Sequence, residues 1–293
     1  MLVVIGLIAI YSVCFVVIKV GLAYAPPLLF AGLRALIGGV ALLILAIALR
    51  QPWLPPSHQW GWIFTLAFTA TTLTYGAMFL SPGRAGAGLA SVLGNLQPLF
   101  AFVLATMFLD EWMTRGKLLT VALGLAGVSL ISSRELADSG ASELFGAALA
   151  LTVSATAAAG NVIFKRMKAQ INILVVTAWQ LIIGSLPLFL ASTIVERTEK
   201  VVWNVEFVGL LLFLALVGTS LLNVTWFWLV QHGEVGHISM YFFLVPVFGL
   251  GMAVLVFGER ISLLEVFGSA LAIAGIAVTA WESQRWNSVT QPV

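Results

Sequence analysis

Charge is the scarcest property of this sequence. Only 9% of its 293 residues are Asp, Glu, Lys or Arg, whereas 61% are hydrophobic. Soluble proteins carry about 25% charged residues, so the composition excludes an ordinary soluble domain. The basic residues form no long cluster, which argues against nucleic acid as a partner. The composition predicts a polytopic membrane protein.

The sequence also has little of what enzymes and metal sites need. Cys14 is the only cysteine, so no disulfide can form within the chain. His58, His232 and His237 lie in loops or near the ends of apolar runs, with no Asp or Glu at metal-ligand spacing. We therefore expect no metal, no cofactor and no catalytic residues. An intramembrane enzyme is kept as an alternative from a different class.

Long apolar runs are what the chain does contain. A bilayer-spanning helix needs about 20 apolar residues, and the spans should be helical because every backbone polar group needs an internal partner in hydrocarbon. Residues 2–23 are expected to be a retained span, because no basic segment precedes them as in a signal peptide. The ten predicted transmembrane helices are 2–23, 28–49, 59–80, 85–108, 115–133, 145–165, 171–193, 206–230, 236–257 and 262–281.

Two of the apolar runs share one pattern. Pro98 stands inside the fourth run, and Glu111 follows it by 13 positions. Pro246 and Glu259 repeat this arrangement 148 residues later. A proline that recurs inside a membrane-length run in this way indicates an internal repeat.

A small-residue motif repeats at the same distance. Residues 122–127 read ALGLAG and residues 270–275 read ALAIAG. The two motifs predict a five-helix repeat at 1–138 and a second at 139–293. Five is an odd number, so the second repeat must be inverted in the membrane. Inverted repeats are typical of secondary transporters, whose substrate site lies near the bilayer midplane.

These features resemble a known family. Ten spans, a five-plus-five inverted repeat and two Pro-to-Glu segments, each followed by a small-residue span, resemble the drug/metabolite transporter superfamily. The chain looks most like its EamA-type branch and the bacterial aromatic amino-acid exporters. The resemblance implies alternating access through a central cavity and export of small amphiphilic metabolites, above all aromatic and hydrophobic amino acids. A multidrug or lipophilic-cation exporter of the same fold is the alternative.

The resemblance also implies the partners. They are a small-molecule substrate and the lipid bilayer, and no nucleic acid. The fifth and tenth spans would lie at the periphery, where they pack or form a homodimer.

No predicted span has an Asp or Glu away from its ends. Since proton-driven pumps usually keep such a group in the membrane, we expect facilitative transport.

The two repeated prolines are predicted hinges. A proline inside a helix lacks an N–H donor and pushes off the carbonyl four residues earlier. Pro98 and Pro246 would therefore open a cavity and free the carbonyl groups of Gly94 and Phe242 for a substrate. Kinks that serve only helix packing are the alternative.

Amide and aromatic side chains near the prolines form the predicted site. Asn95 and Gln97 lie deep in the fourth span, where a buried amide must face protein or a water-filled cavity, and their second-half counterparts are aromatic. Such walls suit a molecule with a polar head and an apolar tail. Helix–helix contacts and an interfacial aromatic belt are the alternatives. The predicted substrate-binding residues are Tyr75, Met78, Phe79, Asn95, Gln97, Asn161 and Tyr241.

A few charged residues near span ends allow two interpretations each. Lys19 and Arg34 either face the cavity, where they could bind a carboxylate, or extend to the membrane surface. Glu111 and Glu259 lie in turns after their spans and are expected to cap or latch helices, or to be solvated loop charges.

An even number of spans places both termini on one side of the membrane. The densest basic cluster, residues 165–168, lies on that side. Because basic loops face the cytoplasm, we predict cytoplasmic termini in the inner membrane.

Overall fold

Helices account for all regular secondary structure in the described part of the chain. The computed structural model describes residues 2–81, 93–112, 114–131, 143–167, 171–196, 201–257 and 262–290. One helix, at residues 235–257, is in three pieces, with a 3₁₀ segment in the middle. The helices are α1 (Leu2–Gly21), α2 (Pro27–Ala48), α3 (Ser57–Leu80), α4 (Gln97–Phe108), α5 (Arg115–Ile131), α6 (Glu143–Arg166), α7 (Ile173–Val195), α8 (Val205–His232), α9 (Val235–Ser239, Met240–Leu244, Val245–Phe257) and α10 (Leu263–Thr290).

Seven of these helices, within the described residues, are long and apolar enough to cross a membrane: α1, α2, α3, α6, α7, α8 and α9. Helix α4 and the apolar part of α10 (Leu263–Val278) are shorter. The first part of the predicted fourth span, residues 85–92, lies outside the described residues. The prediction of an all-helical membrane protein is confirmed, whereas the count of ten spans stays a prediction.

Polar side chains fix where several helices begin. Asn172 and Asn204 each accept the backbone N–H of the third residue after them, at 3.3 and 2.7 Å. Ser262 and Glu265 form a capping box, in which each side chain accepts the backbone N–H of the other residue. These bonds satisfy N–H groups that the first helical turn leaves without partners.

Helices α3 and α8 each widen into a π-helical turn, at Ala67–Leu73 and Leu216–Leu221. Neither segment contains proline. Three hydroxyl groups, those of Thr74, Thr219 and Ser220, donate to the carbonyl group five residues earlier at 2.8, 2.8 and 2.9 Å. Such bonds compete with the regular helical ladder, and π-turns of this kind often mark functional sites.

Glycines let α2 approach α8 and α7 approach α3. A Cβ atom on Gly38 would come within 2.8 Å of a backbone carbonyl oxygen of α8, and one on Gly184 within 2.7 Å of a carbonyl oxygen of α3. The carbonyl group of each glycine also accepts a hydrogen bond from a hydroxyl group of the helix that contains the π-turn. Ser220 donates to Gly38 at 2.9 Å, and Thr72 donates to Gly184 at 2.8 Å.

The small residues of α5 and α10 pack these two helices against each other. A Cβ atom on Gly127 would lie 2.5 Å from the carbonyl oxygen of Gly268. The hydroxyl of Thr120 donates to the carbonyl of Gly275 at 2.6 Å. The repeated small-residue motif therefore serves packing within the chain, and the homodimer stays a prediction.

Candidate substrate cavity

Two adjoining cavities lie between the helices of the two halves. The inner cavity has a volume of about 90 Å³, and the outer cavity has a volume of about 430 Å³. Tyr11, Met78, Gln97 and Phe242 line both cavities. Small-molecule sites usually measure about 300–1,000 Å³, so the outer cavity can hold the body of a small molecule and the inner one only a head group.

Polar side chains converge on the inner cavity. The amide of Asn223 donates to the Tyr75 hydroxyl at 3.0 Å. The indole N–H of Trp226 donates to Oδ1 of Asn161 at 3.0 Å. The guanidinium carbon of Arg34 lies 4.6 Å from the centre of the Tyr75 ring, within range of a cation–π interaction. The inner cavity therefore offers several hydrogen-bonding groups in a small space.

The outer cavity is mostly apolar. Phe15, Ile18 and Pro246 contribute to its wall, and Lys19 and Asn95 add polar groups. These residues come from the second half of α1, from α9 and from the chain just before α4. The outer cavity thus extends toward the ends of α1 and α3 that lie away from the N-terminus.

Five of the seven predicted binding residues line these cavities. Tyr75 and Asn161 line the inner cavity, Asn95 lines the outer one, and Met78 and Gln97 line both. The structure therefore brings together amides and rings that are up to 86 positions apart in the sequence. That these residues bind a substrate stays a prediction.

The other two predicted residues lie outside both cavity linings. Phe79 is 1% exposed and packs edge-to-face on Phe30, with ring centres 5.2 Å apart. Tyr241 is buried in a hydrophobic cluster, and its neighbour Phe242 lines the cavities instead. The 3₁₀ segment Met240–Leu244 explains the shift, because a 3₁₀ helix turns about 20° more per residue than an α-helix.

Pro98 begins a helix and does not kink one. It stands in the first turn of α4, after a turn at Asn95 and Leu96, where a missing N–H costs nothing. The carbonyl of Gly94, which we expected to be free for a substrate, accepts the Ser154 hydroxyl at 2.6 Å. The proline therefore marks a helix break that is joined to α6.

Pro246 is the second residue of the last α-helical piece of α9. The carbonyl of Phe242, also expected to be free, accepts the backbone N–H of Val245 within the 3₁₀ segment. Ser12 of α1 donates to the Val245 carbonyl at 3.3 Å. Both prolines thus stand at helix breaks, and both expected free carbonyl groups have partners. A hinge role for either proline stays a prediction.

Arg34 is the cavity-lining residue whose surroundings differ most from expectation. It is 1% exposed, which excludes an extended side chain at the membrane surface. Its Nε donates to the Thr219 hydroxyl at 2.7 Å, and Nη2 donates to the Gly218 carbonyl at 2.9 Å. Gln180 of α7 makes the corresponding bond to Thr71 of α3, at 3.0 Å. Each bond joins a helix of one half to a π-turn of the other half.

A charged cluster caps helices at the end of the bundle that holds the termini. Glu111 accepts the backbone N–H groups of Val235 and Gly236, at 2.6 and 2.9 Å. Burial raises the pKa of Glu111 above its ordinary value, and the two N–H groups oppose that rise. Lys165 donates to three carbonyl groups at the end of α8, at 2.7 to 3.0 Å. The predicted capping role of Glu111 is confirmed, and Glu259 lies outside the described residues.

Comparison with known proteins identifies the family. The profile of the EamA-like transporter family matches residues 1–133 and residues 144–281. The chain belongs to the EamA-like transporter family. It is 31% identical to the uncharacterized transporter YoaV of Bacillus subtilis, over 97% of this chain and 98% of that protein.

Two further relatives of this EamA-like chain have more specific names. Proteins named "Probable amino-acid metabolite efflux pump" from Salmonella typhimurium and Escherichia coli are 28% and 27% identical to it, over 94% and 97% of this chain and 92% and 95% of theirs. A crystal structure shares its fold, with a TM-score of 0.82 at 17% identity, over 97% of this chain and 98% of that one. The chain is a multi-pass membrane transporter and not an enzyme.

Some cavity residues of this EamA-like transporter are not among the seven substrate-binding residues predicted from the sequence. They are Tyr11, Asn223, Trp226 and Phe242. Asn223 follows Tyr75 by 148 residues, which is the spacing of the repeated prolines. The repeat spacing was therefore the signal that could have found Asn223.

Proposed function

We propose that this transporter exports small amphiphilic metabolites, and that aromatic and hydrophobic amino acids are its main substrates. The observation that carries the proposal is a pair of joined cavities, both mostly apolar, in which guanidinium and amide side chains gather around the smaller one. An amino acid with an apolar side chain would place its charged groups beside those side chains and its apolar part in the larger cavity. The names of the two efflux-pump relatives agree with this choice.

Transport by alternating access is the mechanism that we infer. The cluster around Glu111 and Lys165 ties α4, α6, α8 and α9 together at the end that holds the termini. The outer cavity lies toward the opposite end. In the complementary state the Glu111 cluster would open and the walls of the outer cavity would close.

Two inverted repeats, 1–138 and 139–293, provide the symmetry for this motion. The supporting observation is the reciprocal pair of contacts, in which Arg34 of the first half meets Thr219 of the second while Gln180 of the second half meets Thr71 of the first. Reciprocal contacts of this kind are typical of a two-fold axis. Both termini are proposed to be cytoplasmic in an inner membrane. A cysteine introduced as Glu199→Cys would then react with an impermeant reagent from outside, and reaction only from inside would reverse the orientation.

A lipophilic-cation exporter of the same fold is the alternative. Among the described residues that line the two cavities, the charged ones are Arg34 and Lys19, and both are basic. Positive side chains repel a cationic substrate. The lining therefore favours a zwitterionic or anionic molecule.

Flux measurements in proteoliposomes test the proposal. Radiolabelled phenylalanine should move down its own gradient without a proton gradient, and faster than tetraphenylphosphonium. The variant Gln97→Ala should lower phenylalanine flux by about tenfold, the cost of one lost hydrogen bond. Gln59→Ala is the matched control, because Gln59 is a buried amide that lines neither cavity. Flux that needs a proton gradient would refute the facilitative mechanism.

A further inference from the structure

Arg34 is a buried cation with an incomplete set of partners. Its Nε and Nη2 are hydrogen-bonded, whereas Nη1 is buried and has no hydrogen-bond partner among the described residues. Arginine keeps its charge in proteins, and a buried charge costs several kcal/mol unless it is paired. The guanidinium therefore lacks both one hydrogen bond and a counter-charge.

Within the described residues, the hydrogen bonds and ion pairs of Arg34 include no Asp or Glu. The one salt bridge found among the described residues joins Lys117 of α5 to Glu234, which directly precedes α9. The rings of Tyr75 and Phe79, with centres 4.6 and 5.6 Å from the guanidinium carbon, attract the cation but carry no net charge.

The corresponding position in the second half holds a neutral residue. Gln180 is fully buried and bonds Thr71 much as Arg34 bonds Thr219. A neutral amide thus joins α7 to the π-turn of α3. The positive charge of Arg34 is an addition to this packing contact, and it lies on the side where the inner cavity is.

A second unpartnered donor lines the same cavity. Oδ1 of Asn161 accepts the Trp226 indole N–H, which fixes the orientation of the amide. Nδ2 of Asn161 is consequently left as a buried donor with no partner in the described part of the chain. Two residues with spare N–H donors, one of them charged, line one small cavity. A carboxylate accepts several hydrogen bonds and carries the missing negative charge.

We propose that Arg34 and Asn161 bind the carboxylate of the transported molecule, so that the cavity selects amphiphilic carboxylates. This proposal rests on the proposed export function and names the chemical group that the site recognises. The carboxylate would occupy the inner cavity, and the apolar part of the same molecule would occupy the outer cavity. Arg34 would then provide discrimination against amines and amides of otherwise identical shape.

Comparison of phenylalanine with phenylalaninamide, which lacks the carboxylate, tests the proposal in proteoliposomes. Wild-type protein should carry phenylalanine faster. Arg34→Gln should lower phenylalanine flux by about 10- to 100-fold, the range for a hydrogen bond to a charged group, and should abolish the preference. The glutamine should still bond Thr219, as Gln180 bonds Thr71. Arg34→Lys should keep part of the preference.

Two further variants keep the test decisive. Gln180→Leu is the matched control, because it removes the corresponding neutral contact and should leave the preference unchanged. Asn161→Asp places a fixed carboxylate in the inner cavity at almost constant shape. It should compete with the substrate for Arg34 and abolish the preference even if Arg34→Gln does not fold.

The outcomes separate this proposal from the proposed function. A preference that survives both Arg34→Gln and Asn161→Asp would overturn the carboxylate assignment while transport itself stands. Flux of phenylalaninamide that depends on chloride would also overturn it, because an inorganic anion would then be the partner of Arg34 in the inner cavity. If wild-type protein carries neither compound, the proposed function fails.

Discussion

Arg34 and Gln180, 146 residues apart, make corresponding contacts in the two proposed repeats. Each reaches from a helix without a π-turn to a threonine in the π-turn of the other half. The next polar contacts also correspond, because Ser220 and Thr72 donate to the carbonyl groups of Gly38 and Gly184. These hydrogen bonds thus correspond between the two proposed repeats, whereas the charged side chain occurs in only one of the two pairs.

We infer from this difference that the contacts found in both halves stabilise the fold, whereas the residues found in one half determine which substrate binds. What is shared by the halves, namely π-turns, glycines and hydroxyl contacts, is what the packing requires. Residues that differ between the halves line the inner cavity. Tyr75 in the first half corresponds to Asn223 in the second, and Arg34 corresponds to the neutral Gln180. Substrate choice is therefore expected to depend on the unshared residues, and stability on the shared ones.

An exchange of the two side chains is expected to have the largest effect. The double variant Arg34→Gln with Gln180→Arg keeps a donor at each threonine but moves the charge. Carboxylate transport should stay about 10- to 100-fold below wild type, because Gln180 lines neither cavity. Phenylalanine flux in proteoliposomes measures this. Restored flux would mean that the two positions are functionally equivalent.

Alanine at the paired glycines should have the next largest effect. Gly184→Ala places a Cβ atom against Cβ of Thr71 and 2.7 Å from the Ala67 carbonyl oxygen, and Gly38→Ala places one 2.8 Å from a backbone carbonyl oxygen. Overpacking typically costs about 1–3 kcal/mol, so both variants should lower the thermal unfolding temperature in detergent. Gly61→Ala is the control, since nothing lies within 4 Å of its Cβ position. Equal unfolding temperatures for all three variants would contradict the tight packing.

The smallest expected effect is on stability, from replacing the two serines that donate to carbonyl groups at the helix breaks. Ser154 donates to the carbonyl groups of Leu93 and Gly94, at 2.8 and 2.6 Å. Ser12 makes a longer contact to its break, 3.3 Å to Val245. Ser154→Ala should therefore cost about 1 kcal/mol and Ser12→Ala less, by the same unfolding measurement. A larger loss for Ser12→Ala would reverse this order.

The helices and part of the cavity follow from the sequence. In a bilayer every backbone group needs an internal partner, so hydropathy alone indicates helices such as Leu2–Gly21 and Ile173–Val195. Asn95 and Gln97 could be assigned to the cavity because an amide has few other places in an apolar helix. Glu111 could be recognised as a cap from its position after a span.

The remaining features depend on contacts that are distant in sequence or on the local helix type. Arg34 could not be distinguished from a membrane-surface arginine, because Thr219 lies 185 residues away. The 3₁₀ segment of α9 rotates Phe242 into the cavity in place of Tyr241, and no proline or glycine within Met240–Leu244 signals it. The π-turns are equally hidden, since hydroxyl groups such as that of Thr219 stabilise them.

The burial of Arg34 also has a consequence for the order of membrane insertion. Its hydrogen-bond partners, Gly218 and Thr219, are 184 and 185 residues later in the chain. At about 5–20 residues per second, they are synthesised roughly 10 to 40 seconds after it. Until then the guanidinium must stay near lipid head groups and water. The second helix is thus expected to reach its final depth only once the eighth has entered the bilayer.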